Sequence, residues 1–131
     1  MTNSPVTIIT GGGSGIGAAA ARRLLDRGGR VTVLGRGAER LSRLTADLQQ
    51  PSTLLTHVGD ASNFEDVSAC VEATVHRFGR LDTVIANAGF AVPGTIITGD
   101  PEAWRDMVLT NVLGPALLIR AAHAHLVETR G

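Results

Sequence analysis

The sequence contains no lysine and no tyrosine, because all twelve of its basic residues are arginines. Any mechanism that needs a phenol or a primary amine side chain is therefore excluded within these 131 residues. The single cysteine, Cys70, excludes an internal disulfide framework and a multi-cysteine metal site. We accordingly predict no bound metal and a cytoplasmic location.

The charges balance, and this balance argues against two classes of partner. Twelve acidic residues offset the twelve arginines, whereas nucleic acids and anionic lipids attract proteins that carry clustered positive charge. The N-terminus has no basic segment followed by a long apolar run, and we find no window with the ~20 apolar residues that a membrane span requires. The sequence predicts a soluble domain that binds neither nucleic acid nor membrane.

Segments with two different periodicities alternate along the chain, which is typical of a βαβ architecture. Short apolar or β-branched runs predict strands at residues 6–10, 30–35 and 53–58 and a fourth within 81–89, and apolar residues at helical spacing predict helices after them. With 44% hydrophobic residues the chain can form one core. We predict a single α/β domain over residues 1–131, with a parallel sheet and the order βαβαβαβαα.

Two helix starts carry capping signals. Ser62 and Glu65 have the spacing of a capping box, and Asp100 before Pro101 predicts an N-cap with proline at the first helical position. The last helix, predicted from about Asn111 to residue 127, is apolar nearly all round. We expect its residues 112–127 to be covered on more than one side, by this chain or by another copy in a homo-oligomer.

A glycine-rich segment, TGGGSGIG from Thr10 to Gly17, joins the first strand to the first helix. Its glycines are spaced GxxxGxG and no GK[ST] follows, which argues against a Walker nucleotide triphosphatase. The segment is either a phosphate-binding turn or a loop rich in glycine for conformational freedom alone. A strand before it and a helix after it favour the first, since helix N-termini attract anions.

In this context the segment resembles TGxxxGIG, the nucleotide turn of the short-chain dehydrogenases/reductases. Three further motifs match that family in its order. Asp60 matches the acidic residue that contacts the adenine amino group, and NAG at residues 87–89 matches NNAG, with Ala86 replacing its first Asn. Asn111 matches the asparagine of the catalytic tetrad. Taken singly, Asp60 also fits a turn or cap, residues 87–89 an ordinary turn and Asn111 a helix cap.

The joint occurrence of these motifs behind the glycine turn favours the functional interpretation. The resemblance implies that the glycines let the backbone approach a pyrophosphate. The residues it implies for cofactor binding are Gly11, Gly13, Ser14, Gly15, Ile16, Gly17, Asp60, Asn87, Ala88 and Gly89.

The end of the second strand bears on which dinucleotide is bound. Gly35 stands where NAD-preferring relatives usually carry Asp, and Arg36 follows it. A carboxylate there would repel a 2′-phosphate, whereas a guanidinium binds it in bidentate fashion. We predict NADP(H) rather than NAD(H), with Arg36 as a contact. Arg36 also fits a solvated loop charge, and Ser14 counts against NADP, because NADP users often carry a basic residue there.

The rest of the resembled family's chemistry has no counterpart here. The family uses a tyrosine, a lysine four residues later and a serine, and of its tetrad only Asn111 is carried over. The resemblance implies a Rossmann-like three-layer αβα domain, incomplete and truncated before the catalytic Ser and YxxxK segment. Two functions stay open: an NADP(H)-dependent oxidoreductase for an alcohol/ketone pair, or a catalytically inactive fragment that binds NADP(H) or pairs with another chain.

Overall fold

Four parallel strands form one sheet in the computed structural model, which describes residues 3–49 and 51–131. The strands are β1 (Val6–Thr10), β2 (Arg30–Gly35), β3 (Leu54–Val58) and β4 (Thr83–Ile85), in the spatial order β3-β2-β1-β4. The helices are α1 (Gly15–Asp26), α2 (Ala38–Asp47), α3 (Phe64–Phe78), α4 (Pro101–Val108) and α5 (Gly114–Thr129), with a π turn (Leu109–Leu113) between the last two. The predicted element order and the Rossmann-like fold class are confirmed.

The sheet is covered on both faces, which explains the continuous apolar runs of its strands. Successive side chains of a strand point to opposite faces. Ile9 of β1 packs with Val31 and Val33 against α1 and α2, while Ile8 packs on the other face with residues of α3 and α5. Parallel sheets need such cover on both sides, and the three layers follow from it.

The direction in which the chain adds strands reverses beside β1. The chain goes from β1 outward to β2 and β3, and then crosses back to add β4 on the other side of β1. In an open parallel sheet the crevice at such a reversal, outside the carboxyl ends of the strands, is where ligands bind. The topology thus makes the loops after β1 and β4 neighbours.

The capping box predicted for α3 is wrong. The N-cap is Asn63, whose Oδ1 accepts a hydrogen bond from the backbone N–H of Asp66 at 2.9 Å. Ser62 lies one residue earlier, and its hydroxyl donates to the carboxylate of Asp60 instead. Phe64 is 44% exposed, because it lies at the first position of α3, outside the core clusters.

The predicted cap of α4 is confirmed: Asp100 Oδ1 accepts from the N–H of Glu102 at 3.0 Å, and Pro101 is the first helical residue. The predicted start of the last helix at Asn111 is wrong. The chain does not leave the helical path there but passes through the π turn, so that residues 101–129 form one continuous helical run. A π turn inserts a residue into a helix without ending it.

This continuous run contradicts the expectation that no segment is long and apolar enough to span a membrane. With a mean hydropathy of 1.3 over its most apolar window, Pro101–Thr129 is long and apolar enough to cross a membrane by length and composition. Core helices of soluble proteins pass the same test, and α5 packs on α3 through Leu118 and Ala122, both buried. By contrast, Val112 and Ile119 are 66% and 56% exposed, so the described residues leave part of the apolar surface of this run uncovered.

Charged groups tie the amino end of the sheet together. The carboxylate of Asp82 accepts from the N–H of Val6 at 2.8 Å and from Arg80 Nε at 2.9 Å. Arg30 donates to the carbonyl oxygens of Ser4 and Phe78. Burial alone would raise the pKa of Asp82, but the hydrogen bonds from Arg80 and Val6 and the charges of Arg80 and Arg30 outweigh it, so the pKa lies below its usual 3.8.

We expect Asp82→Asn to reduce the acid sensitivity of the fold. Because the folded-state pKa of Asp82 is depressed, its carboxylate stabilises the fold above the usual pKa, and this contribution is lost as the pH falls through the folded-state pKa. The variant should lose about 1 to 3 kcal/mol of unfolding free energy at neutral pH and then respond less than the wild type to acid below about pH 4. Urea denaturation at several pH values measures both. Asp47→Asn, at an exposed position of α2, is the control, and equal acid responses of Asp82→Asn and the wild type would contradict the role of Asp82.

Candidate functional site

A cavity of about 480 Å³ opens at the carboxyl end of the sheet, between the loops that follow the four strands. Most of the predicted site residues line it: Gly11, Gly13, Ser14, Ile16, Arg36, Asp60, Asn87, Ala88 and Gly89. Gly15 and Gly17 lie at the start of α1 behind that lining, and Asn111 is not among the described residues that line the cavity, although its neighbour Thr110 is. The topology therefore brings together predicted site residues that are as far as 78 positions apart, such as Gly11 and Gly89.

The glycine turn packs directly against the loop after β4. A Cβ atom on Gly11, whose φ is +65°, would lie 2.8 Å from Cα of Ala88. A Cβ atom on Gly17 would lie 2.6 Å from the carbonyl oxygen of Gly11 and 2.7 Å from Nδ2 of Asn87. No side chain fits at either position, so these two glycines are needed for close approach rather than for flexibility.

Hydrogen bonds hold the same two segments in register. The buried hydroxyl oxygen of Thr10 accepts from the backbone N–H groups of Asn87 and Ala88, each at 3.1 Å. In return, Nδ2 of Asn87 donates to the carbonyl oxygen of Gly11 at 3.1 Å. The end of β1 and the start of the loop after β4 thus form one rigid unit beneath the cavity.

The first turn of α1 presents unpaired N–H groups to this cavity. Its N-cap residue, Ser14, makes no side-chain cap, and the first turn contains no acidic residue. Free N–H groups and the positive end of the helix dipole make such a terminus suited to a phosphate. Ile16 lies on the same turn, lines the cavity and is 82% exposed.

Two arginines border the cavity near the end of β2, and only one of them was predicted from the sequence. Arg36 follows the strand, while Arg40 lies in the first turn of α2. Arg40 packs beside the glycine turn: a Cβ atom on Gly13 would be 3.4 Å from Cβ of Arg40. Arg40 was missed because this contact depends on how α2 packs.

Asp60 supplies a negative charge to the same cavity. Its Oδ1 accepts from both the N–H and the hydroxyl of Ser62, each at 2.8 Å. Burial raises the pKa of Asp60, but these hydrogen bonds and the nearby charge of Arg36 outweigh it, and the pKa lies below 3.8. Asp60 is therefore a carboxylate at neutral pH and can act only as a hydrogen-bond acceptor.

Asn111 does not cap a helix, so that alternative is wrong. It lies in the π turn, where its Oδ1 accepts from the N–H of Phe90 at 3.0 Å and its Nδ2 donates to the carbonyl oxygen of Phe90 at 2.8 Å. Both polar atoms of the side chain are used by one backbone residue. Asn111 thus fixes the loop after β4, at a point next to Gly89.

Comparisons with known proteins agree with this geometry. The family model described as short chain dehydrogenase matches residues 5–131. The chain is 33% identical over 126 residues to "Dehydrogenase/reductase SDR family member 11" of Homo sapiens, covering 94% of this chain and 48% of that protein. It is 36% identical over 129 residues to "Cis-2,3-dihydrobiphenyl-2,3-diol dehydrogenase" of Paraburkholderia xenovorans, covering 95% and 46%.

Two solved structures show the same fold over nearly the whole chain. A 3-ketoacyl-(acyl-carrier-protein) reductase from Brucella melitensis, complexed with NADH, has a TM-score of 0.89 and 32% identity and covers 95% of this chain and 51% of its own. An alcohol dehydrogenase from Thermococcus sibiricus, complexed with 5-hydroxy-NADP, has a TM-score of 0.90 and 30% identity and covers 98% and 56%. The chain spans about half the length of the curated relatives it matches.

We expect Gly17→Ala and Gly13→Ala to differ sharply in stability. The added Cβ at Gly17 meets backbone atoms that cannot rotate away, so the free energy of unfolding should fall by about 1 to 3 kcal/mol. The nearest neighbour of a Cβ on Gly13 is 3.4 Å away, on the side chain of Arg40, and the change there should stay within about 0.5 kcal/mol. Urea denaturation of both variants tests this, and similar losses in the two would contradict the packing described for Gly17.

Proposed function

This chain belongs to the short chain dehydrogenase family, and we propose that it forms the nucleotide-binding portion of an NADP(H)-dependent oxidoreductase that transfers hydride between an alcohol and a ketone. The observation that carries the proposal is the convergence, in one cavity, of the uncapped start of α1, Arg36 and Asp60. Each matches one part of the cofactor. We place the protein in the cytoplasm, in keeping with its single, buried cysteine.

The residues that line the cavity fit a dinucleotide along its length. The N–H groups at the start of α1 would receive the pyrophosphate, because that terminus has neither a cap nor an acidic residue. Asp60 would accept from the adenine amino group, and Gly35 leaves room at the adenosine ribose. Residues 87–89 would border the nicotinamide half. When bound, the cofactor supplies or accepts the hydride.

Local charge supports NADP(H) rather than NAD(H). The two solved neighbours carry different dinucleotides, NADH in one and 5-hydroxy-NADP in the other, so the choice depends on this chain's own residues. The cavity wall at the end of β2 contains two arginines, which attract a phosphate. It also contains Gly35, at a position where an acidic side chain would repel a phosphate. We propose that Arg36 binds the 2′-phosphate and that Arg40 adds to the positive potential beside it.

A second function, nucleotide binding without turnover, is supported by the composition. Proton transfer to a carbonyl near neutral pH requires an acid whose pKa is matched to the task, and these residues contain neither tyrosine nor lysine. Asn111 is the one tetrad residue present, and we propose that it contributes by fixing the Phe90 segment beside the cavity.

We expect the 131-residue chain to bind NADP⁺ more tightly than NAD⁺. Arg36→Ala should lower the ratio of the NADP⁺ affinity to the NAD⁺ affinity by about 10-fold or more, because a charge-assisted hydrogen bond is lost. Arg40→Ala should lower the ratio less, because its guanidinium adds potential rather than a bidentate contact. Arg43→Ala is the matched control, since Arg43 lies on the same helix, does not line the cavity and pairs with Glu39. Isothermal titration calorimetry measures the dissociation constants.

An NADP⁺/NAD⁺ ratio that is unchanged in Arg36→Ala would overturn the assignment of the 2′-phosphate. The same preparations, mixed with NADPH and a panel of ketones, separate the two functions. The chain should oxidise no NADPH by itself, because it contains neither the tyrosine nor the lysine that this family uses to protonate the carbonyl oxygen. Turnover that Asn111→Ala abolishes would contradict this expectation and the non-catalytic alternative together.

We further propose that another copy of the chain covers the exposed apolar side of the last helix, residues 112–127. Val112 and Ile119 are seven residues apart, so they share one face of the helical run, and Val127 on α5 is 62% exposed. An apolar stripe of this kind on a helix is typical of an interaction surface.

We expect the chain to sediment as a dimer or larger oligomer and the double variant Val112→Glu/Ile119→Glu to sediment as a monomer, because buried carboxylates without partners strongly disfavour association. Ile97→Glu is the control, since Ile97 is 87% exposed and lies in the loop after β4. Analytical ultracentrifugation at micromolar concentrations measures the change. A wild-type chain that is monomeric, or an equal effect of the control, would contradict the assignment of this face.

A further inference from the structure

The backbone of Asp60 is held by a carboxylate from the next helix. The N–H of Asp60 donates to Oδ2 of Asp66 at 2.8 Å. Asp66 lies in the first turn of α3, and its own N–H donates to Oδ1 of Asn63 at 2.9 Å. The carbonyl oxygen of Asp60 in turn accepts from the N–H of Asn63 at 3.0 Å. Both backbone polar groups of Asp60 are therefore tied to the start of α3.

The side chain of Asp60 is held by a different residue. Both donors of Ser62, its N–H and its hydroxyl, bind Oδ1 of Asp60 at 2.8 Å. Within residues 3–49 and 51–131, Oδ2 of Asp60 makes no hydrogen bond, while the residue lines the cavity. One carboxylate oxygen is thus occupied by the protein and the other is left for a ligand.

A single fixed acceptor distinguishes between purines. The carboxylate of Asp60 can only accept hydrogen bonds. Adenine has a donor at its 6-position, an amino group, whereas guanine has a carbonyl oxygen there, and so does hypoxanthine. An oxygen held in one orientation favours the amino group and repels the carbonyl group. A carboxylate free to rotate would lose part of this preference, because orienting it on binding costs entropy.

We propose that Ser62 and Asp66 are positioning residues that give this cavity its selectivity for adenine, Ser62 by fixing the carboxylate of Asp60 and Asp66 by fixing its backbone. The inference depends on the proposed function, because it assumes that the cavity binds an adenine dinucleotide. It adds two residues that touch no part of the ligand. Their effect is therefore on the choice between bases rather than on the pyrophosphate.

The test compares the affinity of the chain for NADP⁺ with that for its hypoxanthine analogue, which differs only in the base. The wild type should prefer NADP⁺, and Ser62→Ala and Asp66→Ala should each lower that preference about 3- to 10-fold, the range expected for one hydrogen bond. Asp66→Asn keeps an acceptor oxygen and should restore most of the preference. Ser68→Ala, on α3 but outside the cavity lining, should leave it unchanged, and Asp60→Ala gives the value without the carboxylate.

The outcomes separate this inference from the proposed function. If Asp60→Ala lowers the preference while Ser62→Ala, Asp66→Ala and Asp66→Asn all leave it at the wild-type value, the inference is overturned and the proposed function stands. A merely structural role would weaken both ligands equally and give that same unchanged ratio. If the wild type binds neither dinucleotide, the proposed function is overturned and the inference with it. Circular dichroism shows whether each variant is folded. If Asp66→Ala is unfolded, the preference measured for Ser62→Ala alone decides whether the inference holds.

Discussion

The close packing of the glycine turn against the loop after β4 is the contact on which the candidate site depends. At Gly11 and Gly17 there is no space for a side chain, because Ala88 and Asn87 lie too close. The hydroxyl oxygen of Thr10 accepts hydrogen bonds from the backbone N–H groups of Asn87 and Ala88. This contact joins the segments that follow β1 and β4, where the topology reverses. It also fixes the start of α1 at the cavity with its first N–H groups unpaired, so one packing arrangement produces both the crevice and its capacity for an anion.

The two ends of the sheet use charge in opposite ways. At the amino end, the carboxylate of Asp82 is fully engaged by the protein, because Val6 and Arg80 bind it and Arg30 lies near it. At the carboxyl end, the carboxylate of Asp60 keeps one oxygen without a hydrogen bond to the described residues. Charge therefore stabilises the fold at one end and is left available to a ligand at the other.

The sequence predicted the sheet better than the helix ends, and the reason is physical. Strands such as β1 and β2 are buried on both faces, so their apolar runs are continuous and their limits match the prediction. Caps depend on which donor a side chain finds: Ser62 had the right spacing but bonds Asp60, and Asn63 took its place. The π turn had no local signal, because a residue inserted into a helix leaves the helical pattern of hydrophobicity nearly unchanged. Arg40 and Asp66 were missed because their contacts exist only after α2 and α3 have packed.

Binding and turnover are separable in this chain because they require different residue types. Backbone N–H groups, an arginine and a carboxylate are the groups that we propose for binding a dinucleotide, and all three occur at the cavity. Moving a proton to or from a substrate oxygen needs an acid, and in this family's mechanism that acid is a tyrosine with a lysine beside it, neither of which occurs here. Asn111 illustrates the separation, since the hydrogen bonds of its side chain to the backbone of Phe90 position the loop after β4. The described residues thus contain the groups that we propose for holding a cofactor, and the tyrosine and lysine of the family's proton transfer are not among them.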